Sequence, residues 1–166
     1  LAALHLAAAG RTRLATITGP LDMTAAADRL AGWQAGLREA GLTAGPVAHG
    51  DFTPAGGTAA AEQILAEDGS VDGIFAASDL MARGAITALL ASGRSVPGDV
   101  AVVGFDDHLT VPGELPLTAI NQPTVEMAEK AARLLLGDIE NPGAGRDPVI
   151  YPARLVVRAS SAPKAE

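Results

Sequence analysis

The sequence predicts an α/β fold built on a doubly wound parallel sheet, and two observations carry that prediction. One is the run Val100-Ala101-Val102-Val103, apolar throughout with no polar alternation. That is how a strand covered on both faces reads. The other is rhythm: strand-like and helix-like segments alternate along the chain at the spacing of βαβ units. Gly104 is read as the end of the central strand, with Asp106 and Asp107 following at once. Ligands of open α/β sheets sit outside the carboxyl ends of the strands, so Asp106 stands where a ligand would be. The plain alternative is a pair of carboxylates solvating a turn.

The remaining elements follow in order. Residues 1–10 read as a helix tail stopped by Gly10, so the chain opens in mid-helix and is expected to be a fragment. Residues 13–18 form a strand ended by Gly19-Pro20. Thr24 is expected to cap a helix reaching Ala40, with Gly41 as its stop. Ala26, Leu30, Trp33, Leu37 and Ala40 recur at three- and four-residue steps, giving it one buried face. A short strand at 47–49 leads into Gly50-Asp51-Phe52. A helix from Gly57 or Thr58 to about Glu67 turns Ala61, Ile64 and Leu65 inward. Residues 73–77 form the next buried strand. Ser78 follows it, and Asp79 is expected to cap a helix whose inner face is Ala82, Ala85, Ile86 and Leu89, stopped by Gly93.

Beyond the central strand come a Pro- and Gly-rich loop at 111–116 and an extended piece at 118–121. A helix at 124–136 ends at Gly137. Its polar side is narrow (Glu126, Glu129, Lys130 and Arg133), and its apolar residues, among them Val125, Leu135 and Leu136, need a partner. A polar turn at 141–146 precedes two extended pieces, 149–151 and 153–158.

Composition narrows the function. The 166 residues are 48% hydrophobic and 19% charged, enough for a real core. Twelve Lys and Arg stand against 19 Asp and Glu, for a net charge of -7. With no basic cluster to displace counterions, these residues make a poor nucleic-acid surface. Cysteine is absent, which excludes disulfides and thiolate metal sites. The longest apolar stretch, near 1–9, is too short to span a bilayer, and no membrane association is expected. No Gly-rich phosphate signature and no G-x-S-x-G elbow occurs, and Ser78 has no base beside it. His5, His49 and His108 lack metal-ligand spacing. No catalytic residue, metal or cofactor is therefore assigned.

What converges is a set of positions at the ends of successive strands. Arg29 lies early in the first long helix, Phe52 follows the second strand, Ser78 the third and Asp106 the fourth. A guanidinium and a carboxylate hold adjacent hydroxyls by charge-assisted hydrogen bonds, and an aromatic ring covers the apolar face of a sugar or base. Each residue also has a plain structural reading: Arg29 as a solvated helix residue, Phe52 as a loop anchor, Ser78 as a turn former.

Ordered blocks then carry a family resemblance. Arg29-Leu-Ala-Gly-Trp33, Gly50-Asp-Phe-Thr-Pro54, Ala77-Ser-Asp-Leu-Met-Ala82 and Val96-Pro-Gly-Asp-Val100 come first. Val102-Val-Gly-Phe-Asp-Asp107, Pro116-Leu-Thr118, Asn121-Gln-Pro123 and Leu155-Val-Val-Arg158 follow. Together they resemble the effector-binding region of the LacI/GalR family of bacterial transcriptional repressors, over essentially the whole chain.

The resemblance implies a periplasmic-binding-protein-like (type I) architecture, two subdomains with the ligand between them. Arg29, Phe52 and Asp106 fall on effector-contacting positions, and Gln122 lines the cleft near the crossover. Ser78 stands where many members carry Asn, and a hydroxyl is shorter and lacks the amide's second donor group. Residues 1–121 with 153–160 correspond to the C-terminal subdomain, and 122–152 to a crossover that packs on the other, largely absent, subdomain. The DNA-binding headpiece has no counterpart. The expected function is therefore binding of a small-molecule effector, a sugar or related metabolite, by a cytoplasmic, homodimeric, non-enzymatic regulator that meets DNA only through that headpiece. The alternative is a periplasmic sugar-binding protein of a transport system.

Overall fold

A computed structural model of the chain describes residues 1–108, 113–140 and 147–162. Six strands form one sheet: β1 (Leu14–Thr18), β2 (Val47–His49), β3 (Gly73–Ala76), β4 (Ala101–Asp106), β5 (Thr118–Asn121) and β6 (Arg154–Val156). Their spatial order is β2-β1-β3-β4-β5-β6. The first five are parallel, but β6 runs antiparallel to β5, pairing Ile120 with Leu155. The sheet is thus mixed at one edge rather than wholly parallel. Residues 149–151 form no strand.

The helices are α1 (Ala2–Ala8), α2 (Thr24–Glu39), α3 (Pro54–Glu67), α4 (Asp79–Ala91) and α5 (Thr124–Glu140). Every residue of β1 and β3 is buried, because the sheet carries a core on each face. Successive strand side chains point to opposite faces. Ile17, Ile74 and Val102 therefore join Ile64, Met81 and Leu89 of α3 and α4 in one core. Leu14, Phe75 and Val103 join Leu6 of α1 and Trp33 and Leu37 of α2 in the other. There Trp33 stacks on Phe75 with centroids 5.5 Å apart. Arg11 is fully buried, and its guanidinium donates to the carbonyls of Pro97, Gly98 and Asp99 just ahead of β4.

Several boundaries differ from the sequence reading, each for a local reason. Thr24 is the first helical residue of α2, with extended Met23 as its N-cap, and the helix stops at Glu39. Helix α3 begins at Pro54, earlier than the Gly-Gly pair suggested. Thr53 caps it by accepting from the Gly56 N–H at 3.0 Å, and proline is preformed for the first helical position. Ser78, not Asp79, caps α4. Strand β4 runs through Gly104 to Asp106. The glycine is required there by close approach, since a Cβ would stand 2.7 Å from Asp79 Oδ1. Gly137 lies inside α5, which continues to Glu140. The expected turn at 141–146 and part of the loop at 111–116 lie outside the described residues.

Candidate functional site

The carboxyl ends of the parallel strands bring four of the five predicted residues toward Asp106, and it is the backbone that aims it. Asp106 closes β4 with φ of 103°, and Asp107 follows at 61°. L-residues rarely adopt these conformations. Two consecutive ones turn the chain sharply as it leaves the sheet, and the Asp106 carboxylate meets groups from both neighbouring sides. Gln122 Nε2, just past β5, donates to Asp106 Oδ1 at 2.9 Å. Arg29 Nη2, from α2, lies 3.8 Å from the same oxygen.

Arg29 is itself tightly held. Its Nη1 donates to the Ala77 carbonyl at 2.7 Å, and the guanidinium carbon stands 3.8 Å from the centroid of the Phe105 ring. A cation over an aromatic face is attracted by the ring quadrupole. Burial pulls the Arg29 pKa below its ordinary value, against the opposing pull of Asp106. Burial likewise raises the Asp106 pKa above the usual carboxylate value, opposed first by Arg29, then by the Gln122 hydrogen bond and His108. The pair is only partly exposed, so each charge is short of water and leans on its protein partners.

Phe52, Ser78 and Asp106 line one cavity of about 330 Å³ together with Asp79, Leu80 and His108. Phe52 has φ of 65°, and its ring occupies the space a side chain at Gly19 would need, at the end of β1. Ser78 is buried, and its Oγ accepts from the Met81 N–H at 3.2 Å. Its hydroxyl thus serves its own helix, in line with the turn-forming alternative. Gln122 lines the adjoining cavity of about 360 Å³, which also has His108 in its wall. Arg29 lines a third, of about 320 Å³, with Trp33, Phe75 and Phe105.

Sequence reasoning missed His108, Leu80 and Phe105. Phe105 was legible: it lies two residues beyond Val103, on the strand face that meets α2. His108 carried no signal. It is placed because the buried Asp79 carboxylate accepts from its backbone N–H at 3.0 Å. His5 and His49 are elsewhere, hydrogen-bonded to Ser161 and Thr18. Among the described residues no group of three or more His, Asp or Glu is placed to hold a metal ion, and no helix is long and apolar enough to cross a membrane.

Comparison with known proteins matches the fold. The periplasmic binding protein-like domain family matches residues 3–161. The HTH-type transcriptional regulator CelR of Thermobifida fusca is 45% identical over 156 residues, 91% of this chain and 45% of its own length. The structure of a transcriptional regulator CelR-cellobiose complex superimposes with a TM-score of 0.86 at 43% identity, covering 96% of this chain and 50% of that one. The lac repressor dimer bound to operator and the anti-inducer ONPF gives a TM-score of 0.87 at 31% identity, covering 95% and 48%. The chain spans about half the length of the curated relatives it matches. With ordered sequence blocks, sheet topology and overall superposition in agreement, the chain belongs to the periplasmic binding protein-like domain family, in the form found in LacI-type regulators such as CelR.

Proposed function

We propose that this chain forms one wall of the effector cleft of a LacI-type regulator. Its ligand is a sugar or a related polyhydroxylated metabolite. The carrying observation is the convergence of Arg29 and Gln122 on the Asp106 carboxylate, flanked by the Phe52 ring. A fixed guanidinium beside a carboxylate offers donors and acceptors at the spacing of adjacent hydroxyls. The aromatic ring covers the C–H face of a pyranose. Ser78 contributes the rim of the same cavity.

Residues 1–121 with 153–160 act as one subdomain, and 122–152 as the crossover to a second subdomain that completes the cleft. Effector binding closes the two and shifts a DNA-binding headpiece between states, by differential affinity for the two conformations. The regulator works as a cytoplasmic homodimer and not as an enzyme. CelR in complex with cellobiose makes that disaccharide the first probe.

Calorimetric titration of cellobiose, then of other neutral sugars, into the complete effector domain tests the reading. Arg29→Ala and Asp106→Ala should each weaken binding by about 2–4 kcal/mol, since each removes a charged partner from a closed site. Unchanged affinity in both folded variants overturns the assignment.

A further inference from the structure

The turn that aims Asp106 is held from the far end of the chain. Asp107 Oδ1 accepts from Arg158 Nη1 at 2.6 Å, and its Oδ2 accepts from Asn121 Nδ2 at 3.2 Å. The same Arg158 nitrogen donates to the Leu117 carbonyl at 2.7 Å. Asp107 therefore has both carboxylate oxygens engaged and its side chain largely buried, at a residue whose φ is 61°.

Arg158 is itself fixed at its base. Its N–H donates to Thr118 Oγ1 at 2.8 Å, and its carbonyl accepts from the same hydroxyl at 3.0 Å. Two residues on, the fully buried Ser160 donates to the Val102 carbonyl at 2.6 Å and accepts from the Thr118 N–H at 2.8 Å. The segment after β6 is thus stitched to β4 and β5, and Arg158 reaches back from it to the strained turn.

We propose that Arg158 is a positioning residue: through Asp107 it locks the left-handed turn that presents the Asp106 carboxylate to the cleft. The inference rests on the effector reading for its consequence, but the turn itself can be observed without a ligand. Asp106 and Asp107 occupy backbone conformations an unrestrained chain would leave. The Arg158–Asp107 ion pair is charge-assisted and partly shielded, the setting in which such a pair constrains geometry most. Gln122 and the pairing with Asn121 hold Asp106, while Arg158 and Asn121 hold the Asp107 carboxylate.

The test is solution NMR of the 166-residue chain. Backbone HN–Hα couplings and carbon shifts at Asp106 and Asp107 report positive φ directly. In Arg158→Ala, with far-ultraviolet circular dichroism unchanged, both signatures should average toward ordinary negative-φ values, and Arg158→Lys should restore most of them. In the complete effector domain, Arg158→Ala should weaken cellobiose binding about tenfold, with Arg158→Lys within about twofold of wild type. Arg158→Met keeps the aliphatic stem and removes the guanidinium, and serves if Arg158→Ala does not fold. Positive φ retained undiminished at both aspartates in a folded Arg158→Ala, or in a folded Arg158→Met, overturns the proposal. A turn that relaxes while Asp106→Ala leaves sugar affinity untouched upholds the positioning role and rejects the effector reading.

Discussion

Helices α4 and α5 carry comparable apolar content and meet opposite surroundings. In α4, Met81, Ala82, Ala85 and Leu89 are buried against β3, β4 and α3. In α5 nothing is buried: Leu135 is 62% exposed, Leu136 60% and Ile139 68%. Yet α5 has the more sharply divided faces, with Val125, Ala128, Ala132, Leu135 and Ile139 along one side. Its exposed Glu129–Arg133 pair, 3.7 Å apart, adds at most about 0.5 kcal/mol. The contrast teaches that amphipathic patterning records a face built to be covered, whereas burial records what covers it. The two agree in α4 and separate in α5.

The sharpest test of that contrast is a pair of matched truncations. Leu89→Ala empties a fully buried site and should lower unfolding free energy by about 2–5 kcal/mol, read from the midpoint of urea unfolding. Leu135→Ala removes the same atoms from a wet surface and should change stability by less than about 0.5 kcal/mol. Similar losses at the two positions would mean that α5 is packed after all, and the contrast would fail.

Amide hydrogen exchange reads the same difference without mutation. Core amides of α4 should exchange only through global unfolding, while α5 opens locally. Protection in the middle of α4 should exceed that in the middle of α5 by at least about a hundredfold. Equal protection would show a single cooperative unit spanning both helices.

The body was legible because its rules are local. Apolar runs, helical periodicity and glycine stops fixed β1, β2, β3 and α2 nearly to the residue, and Gly10, Gly41 and Gly93 do follow their helices with positive φ. Boundaries failed where a hydroxyl competed for a role. Ser78 and Thr53 took the caps, against the readings that gave one to Asp79 and began α3 near Gly57. The candidate site was legible as positions: strand ends named Phe52, Ser78 and Asp106, and the family resemblance added Gln122. The positive φ at Asp106 and Asp107, and the reach of Arg158 across 51 positions to hold them, were not legible. Pairings that distant depend on topology, which short-range patterning does not encode. Arg11 makes the same point, since no periodicity foretells a fully buried guanidinium capped by three carbonyls.

The smallest expected effect lies between the two regions, where the sheet and α2 supply Asp106 and Arg29 and the link from β5 to α5 supplies Gln122. Burial raises the Asp106 pKa, so the folded chain holds that proton to higher pH than the unfolded chain. Between the unfolded value and the raised folded one, the folded state binds more protons, and stability falls as pH rises through that window. Ionised Asp106 therefore costs stability above that window, and Asp106→Asn should flatten the pH dependence across it. Carboxyl-carbon NMR titration should place Asp106 above an ordinary aspartate. Because Arg29 opposes the shift more than the Gln122 hydrogen bond does, Arg29→Met should drive the midpoint further up than Gln122→Ala. The reverse order would make the link from β5 to α5, not α2, the main electrostatic partner of Asp106. That result would break the division in which α2 fixes the charge and Gln122 only adjusts it.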